Sequence, residues 1–159
     1  MTQKHSGSIL KSWLSLSNRP TESFVLDRIE QICVSDAKGL LENGFRSHAL
    51  MSMVLGMEWL GAIMDRKPTG AKSLSRKRFV AVLGLFPQEY LEIHKDIDLY
   101  RQLRNRTVHN PWVKSKFLSL GCDSDSHLTK TDGMWCINLE NLCNDLGSVL
   151  GKVRQQKGL

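Results

Sequence analysis

The chain is poor in the residues that staple, span or cradle. Its four cysteines, Cys33, Cys122, Cys136 and Cys143, form no Cys-x-x-Cys pair and are too sparse for a disulfide scaffold, so buried free thiols in a reducing cytoplasm are expected. Cys122, His127, Cys136 and Cys143 match no metal-ligand spacing. Neither a metal nor another cofactor is expected. No run reaches the roughly 18 uncharged apolar residues of a membrane helix, and residues 1–8 lack the apolar centre of a signal peptide, so a soluble protein without a membrane partner is expected. Gly39, Gly44, Gly56 and Gly61 stand singly in or beside helical stretches. That arrangement lacks a phosphate-cradling loop and argues against kinase or NTPase chemistry. Internal repeats and low-complexity tracts are absent as well, and the Ser/Asp-rich stretch at 121–125 pairs no nucleophile with a base.

What is present suits a single domain over residues 1–159, with a mobile start at 1–8. Hydrophobic residues make up 41% and charged residues 24%, a balance that buries a core without staples at this length. The net charge of +6 favours polyanionic partners through association rather than chemistry.

Helical spacing dominates. Ile9, Leu10, Trp13, Leu14 and Leu16 predict a short amphipathic helix. Val25, Ile29, Ile32, Ala37, Leu40 and Leu41 predict a longer one that starts after Pro20-Thr21 and ends at Asn43-Gly44. From 45 to 64 the chain is apolar on every side, as expected for the central helix of a bundle. Glu58 interrupts that helix and needs a cation or donor, because an unpaired carboxylate there would cost several kcal/mol. A loop with Pro68 and Gly70 follows, then a helix that stops at Pro87. Arg66, Lys67, Lys72, Arg76, Lys77 and Arg78 crowd this loop and helix start with no acid after Asp65. They form either a solvated basic face or a phosphate-guiding patch.

Residues 88–109 predict a helix, with a break near Lys95, that ends at Asn110-Pro111. Past Pro111 the pattern becomes a strand at 116–120 and a hairpin over 127–138 turning on Asp132-Gly133, together an insertion at 115–138. Leu139, Leu142, Cys143, Leu146, Val149, Leu150 and Val153 close the chain with a helix. The fold expected is mainly α: a helical bundle with a small β-hairpin inserted before the C-terminal helix.

The helix before Pro111 gathers the chemistry. On a helical wheel Arg104 falls within the apolar stripe of Ile93, Ile97, Tyr100 and Leu103, so it should point inward and meet Glu58. Asp98, Asn105 and His109 share the opposite, polar face, with His94 and Arg101 at its edge. An ideal helix would separate Arg104 from His109 by about 140°. Joint action therefore needs local unwinding, a long reach, or a second subunit; a purely structural salt bridge beside a capping histidine fits the spacing as well.

The run Leu103-Arg104-Asn105-Arg-Thr-Val-His109 resembles the Arg-x(4 to 6)-His motif of the HEPN superfamily, whose Arg is often followed by Asn. The similarity extends over residues 21–111, through the glutamate-bearing apolar helix, the basic loop and the Phe-rich stretch before Pro87. The resemblance implies a HEPN-like bundle, a homodimer, and metal-independent cleavage of RNA. Arg104 would bind the scissile phosphate, His109 would serve the 2′-hydroxyl or the leaving oxygen, and Asn105 would orient them, with Glu58 in support. Toxin-antitoxin or defence systems, with an antitoxin-like or other protein partner, are the implied setting. Pro111 stands where some toxin-type members carry tyrosine, so chemistry centred on that tyrosine does not carry over. The same resemblance admits a catalytically inactive module for dimerisation or nucleotide binding through a protein partner. A bundle that binds nucleic acid through its basic loop without chemistry is the alternative outside the family.

Overall fold

The computed structural model describes residues 21–67, 73–104 and 115–159. The amphipathic stretch at 9–16, Lys72, Asn105 and His109 lie outside the described residues.

Thr21 opens the first helix, α1 (Glu22–Glu30), by accepting a hydrogen bond from the Phe24 N–H at 3.2 Å, which satisfies one of the free donors of a helix start. A π-helical turn (Gln31–Ser35) joins α1 directly to α2 (Asp36–Glu42). Buried Ile29, Cys33, Ala37 and Leu41 recur every four residues, a step that would rotate about 40° off the core face each time in an ideal α-helix. The wider π turn takes up part of that drift. α2 then ends as expected: Gly44 takes φ 80°, and the Phe45 N–H donates to the Leu40 carbonyl at 2.8 Å, a helix stop that needs the left-handed freedom of glycine.

The apolar stretch forms α3 (Arg46–Asp65), which packs against the π turn, α2, α4 (Ser75–Leu83) and the C-terminal helix. The buried apolar side chains form one contiguous cluster around it. Two glycines permit the close approaches. A Cβ at Gly56 would lie 2.7 Å from Cys33 Cβ, and one at Gly61 would lie 2.5 Å from Arg78 Cβ and 2.8 Å from the Arg78 carbonyl oxygen.

The predicted 88–109 helix is two helices over its described part. α5 (Gln88–Ile97) ends where Asp98 adopts φ 49°, and α6 (Leu99–Arg104) starts afresh. The break falls at Asp98, three residues past Lys95, since an aspartate tolerates the left-handed region better than its neighbours.

Between α6 and the last helix lies a sheet larger than the expected hairpin. β2 (Lys130–Thr131) and β3 (Met134–Cys136) are antiparallel around Asp132-Gly133, both at positive φ as a type I′ turn requires. β1 (Leu118–Ser119) pairs with β3 in parallel, giving the order β1-β3-β2.

The thiol expectation is corrected here: Cys122 and Cys136 are disulfide-bonded, with Cα atoms 6.1 Å apart. Sparse cysteines can pair when strand and loop bring their Cα atoms within bonding range, so this pair gives no ground for placing the chain in a reducing compartment. Cys33 and Cys143 are free and buried. Burial, with smaller contributions from Asp36 and Cys143, pushes the Cys33 thiol up to about 12, which leaves it inert. Among the described residues no helix is long and apolar enough to cross a membrane.

Side chains of the bundle clasp the sheet and its flanking loops, among them Arg46 of α3, which donates to the Leu120 carbonyl at 3.1 Å. Asp96 of α5 accepts from Lys130 Nζ and Trp135 Nε1, each at 2.6 Å. On the other side His127 Nδ1 accepts the Asn138 N–H at 3.0 Å, while Nε2 lies 3.1 Å from the Tyr90 hydroxyl and 3.2 Å from Asp145. The neutral ring therefore carries its hydrogen on Nε2, facing Tyr90 and Asp145. Asn138 caps the closing helix α7 (Leu139–Lys157) by accepting from the Asn141 N–H at 2.9 Å.

Urea unfolding of Gly61→Ala should show a loss of about 2 kcal/mol, because the added methyl meets Arg78 backbone across the α3–α4 seam. In the control Gly39→Ala, where the added methyl meets nothing within 4 Å, stability should hold or rise by up to about 1 kcal/mol. Equal effects at both positions would contradict this packing.

Candidate functional site

Glu58 lies on the side of α3 that faces α6, and the pairing inferred from the helical wheel is present. Arg104 Nη1 donates to Glu58 Oε1 at 3.1 Å. Tyr100, one turn earlier on α6, completes the group: its hydroxyl donates to the same Glu58 oxygen at 3.4 Å and itself accepts from Arg104 Nη1. The guanidinium carbon also stands 5.7 Å from the Tyr100 ring centroid, within reach of a cation–π attraction. The ring packs in turn on Phe79 at 5.2 Å. A tyrosine four residues before an arginine on one helix shares its face. Sequence reasoning saw Tyr100 only as part of the apolar stripe and missed its hydroxyl.

Burial is uneven across the pair. The Glu58 side chain is 14% exposed and that of Arg104 39%, so the arginine is at the rim rather than inside the core. The Tyr100 hydroxyl first, and Glu58 after it, hold the guanidinium more firmly protonated than usual. The result is a fixed positive fork with a solvent-reachable side, geometry suited to a phosphate.

The basic residues divide. Arg66, Lys67, Arg76 and Lys77 are exposed. Arg78 is not part of that surface: its side chain is 3% exposed and donates to Asp65 through Nε at 2.8 Å and Nη2 at 3.1 Å, with Nη2 also 3.1 Å from the Lys67 carbonyl oxygen. Its guanidinium holds the Asp65 carboxyl below its usual range. A run of like charges cannot reveal such a difference, which depends on the α3–α4 seam. Arg76 makes an exposed ion pair with Asp98 at 3.2 Å. Among the described residues no three His, Cys, Asp or Glu side chains converge as metal ligands. The chain matches no protein-family model, curated protein or solved structure.

A double-mutant cycle on Glu58→Ala and Arg104→Ala, read by chemical unfolding, should give a coupling of about 1 kcal/mol, a figure limited by the solvent around Arg104. Strict additivity would show that the two side chains do not support each other.

Proposed function

We propose that the chain is a HEPN-like, metal-independent endoribonuclease whose working groups are Arg104, Asn105 and His109. The observation that carries the reading is the Glu58–Arg104–Tyr100 group. The arginine of the motif is anchored by a carboxylate from the apolar central helix, yet keeps a face toward solvent.

In this reading Arg104 takes the scissile phosphate and offsets the charge that builds on its oxygens. His109 takes the proton from the ribose 2′-hydroxyl or gives one to the departing 5′-oxygen. The 2′-oxygen bonds to phosphorus as the 5′-oxygen leaves, so the products end in a 2′,3′-cyclic phosphate and a 5′-hydroxyl. Asn105 orients the histidine or the phosphate. Arg66, Lys67, Arg76 and Lys77 draw the strand in by charge. A homodimer, in which motif residues of two copies share a cleft, removes the angular conflict between Arg104 and His109. RNA cleavage of this kind, restrained by an antitoxin-like partner, belongs in the cytoplasm.

One observation favours the inactive-module reading instead. Met51 and Leu55 are exposed one turn apart on α3, an apolar strip beside Glu58 suited to pairing with another protein.

Purified protein incubated with mixed RNA in the presence of a chelator should cut it and leave 2′,3′-cyclic phosphate ends. His109→Ala should lower the rate at least about 100-fold, in the range expected for a general acid or base. Equal rates for the variant and the wild type would remove His109 from the chemistry, and intact RNA with both would favour the inactive module.

A further inference from the structure

Arg104 and Gln102 are two residues apart on α6 and so point to roughly opposite sides. On the Gln102 side lies a cavity of about 510 Å³ whose lining includes Arg76, His94, Lys95, Asp98, Gln102 and Phe117. Its size falls within the about 300–1,000 Å³ of small-ligand sites. None of these residues takes part in the Glu58–Arg104–Tyr100 group.

The lining is chemically mixed in a particular way. Phe117 is 53% exposed, an aromatic ring with nothing apolar covering much of it. Arg76, with its side chain 60% exposed while paired to Asp98, and the exposed Lys95 supply positive charge. His94 also lines the cavity; among the described residues its Nδ1 is buried and makes no hydrogen bond. Burial lowers the His94 pKa, with Asp98 opposing and Arg76 adding to the shift, which favours the uncharged ring. Gln102, which accepts from the Ser115 hydroxyl at 3.0 Å, adds a second amide-type edge.

A simple polyanion would find cations here but also meet the carboxylates of Asp96 and Asp98. A nucleotide answers every part of the lining. Its base has a π-face for the ring and donors for the carboxylates, and its phosphate suits Arg76 and Lys95. We propose that this cavity is a nucleotide subsite that seats one unstacked base of single-stranded RNA on Phe117, with the neighbouring phosphate toward Arg76 and Lys95. The subsite rests on the RNA reading above and adds to it where a nucleotide away from the scissile bond is held.

The test is equilibrium binding of a short, fluorescently labelled single-stranded 2′-O-methyl oligoribonucleotide, which lacks the free 2′-hydroxyl needed for cleavage, so affinity is read apart from chemistry. Phe117→Ala should weaken binding about tenfold, the usual size of one base–aromatic stack, and Phe117→Trp should retain wild-type affinity. Arg76→Gln should weaken binding and flatten its salt dependence. Because Phe117 and Arg76 are both exposed, circular dichroism should report the same fold in every variant; should Phe117→Ala nonetheless unfold, Phe117→Leu, which keeps apolar bulk and removes the π-face, decides. Wild-type affinity in Phe117→Ala would overturn the subsite and leave the RNA reading standing. No binding by the wild type would overturn both.

Discussion

A glutamate on the most apolar helix has to be answered, and the answer fixes where α6 lies. Glu58 is largely withdrawn from water, and an unpaired carboxylate there would cost more than most single packing contacts return. Arg104 and Tyr100 meet that need together. Because both come from α6, one electrostatic requirement on α3 sets the position of the helix that carries Arg104. The break at Asp98 makes this possible: α6 can turn its Tyr100–Arg104 face to Glu58 while α5 keeps Tyr90 and Ile93 in the core.

The second buried-side charge pair does a different job. Arg78 and Asp65 lie at the α3–α4 seam, beside Gly61, where two backbones approach too closely for a side chain on α3. That pair joins two helices and is buried on the arginine side, whereas the Arg104 side chain is 39% exposed. The two arginines therefore differ in exposure, although both face a carboxylate. The sheet adds a third kind of constraint. Asp96 and His127 fasten a small sheet of short strands to α5 and α7, and the Cys122–Cys136 bond ties β3 to the loop after β1. Strands this short need such ties, since an isolated ribbon of this size is marginal in water.

Much of this was legible in residue spacing. The central helix, the stop at Asn43-Gly44, the turn at Asp132-Gly133 and the closing helix follow from hydrophobic period and turn chemistry, both local properties. So did the Glu58–Arg104 pair, because Glu58 is the one acid in the apolar stretch 45–64 and one wheel aims an arginine inward. The features that escaped depend on chain segments meeting in space. The parallel β1–β3 pairing, the disulfide and the burial of Arg78 each require knowing what lies opposite. The wheel drawn through residues 94–109 assumed an unbroken helix. Asp98 ends that continuity, yet His94, Asp98 and Gln102 still line one cavity. Arg104 was expected in the core and is instead at its rim, because a long side chain can bury its stem and leave its head in water.

In the proposed RNA cleavage, Glu58 positions Arg104 for a phosphate in addition to anchoring α6. Single-turnover RNA cleavage by Glu58→Gln, measured beside its unfolding midpoint, separates the two. The amide keeps size and hydrogen bonding but gives up the charge. The account predicts a cleavage rate at least about tenfold lower with a stability change within about 1 kcal/mol. A wild-type cleavage rate, or a loss of cleavage that merely follows unfolding, would contradict it.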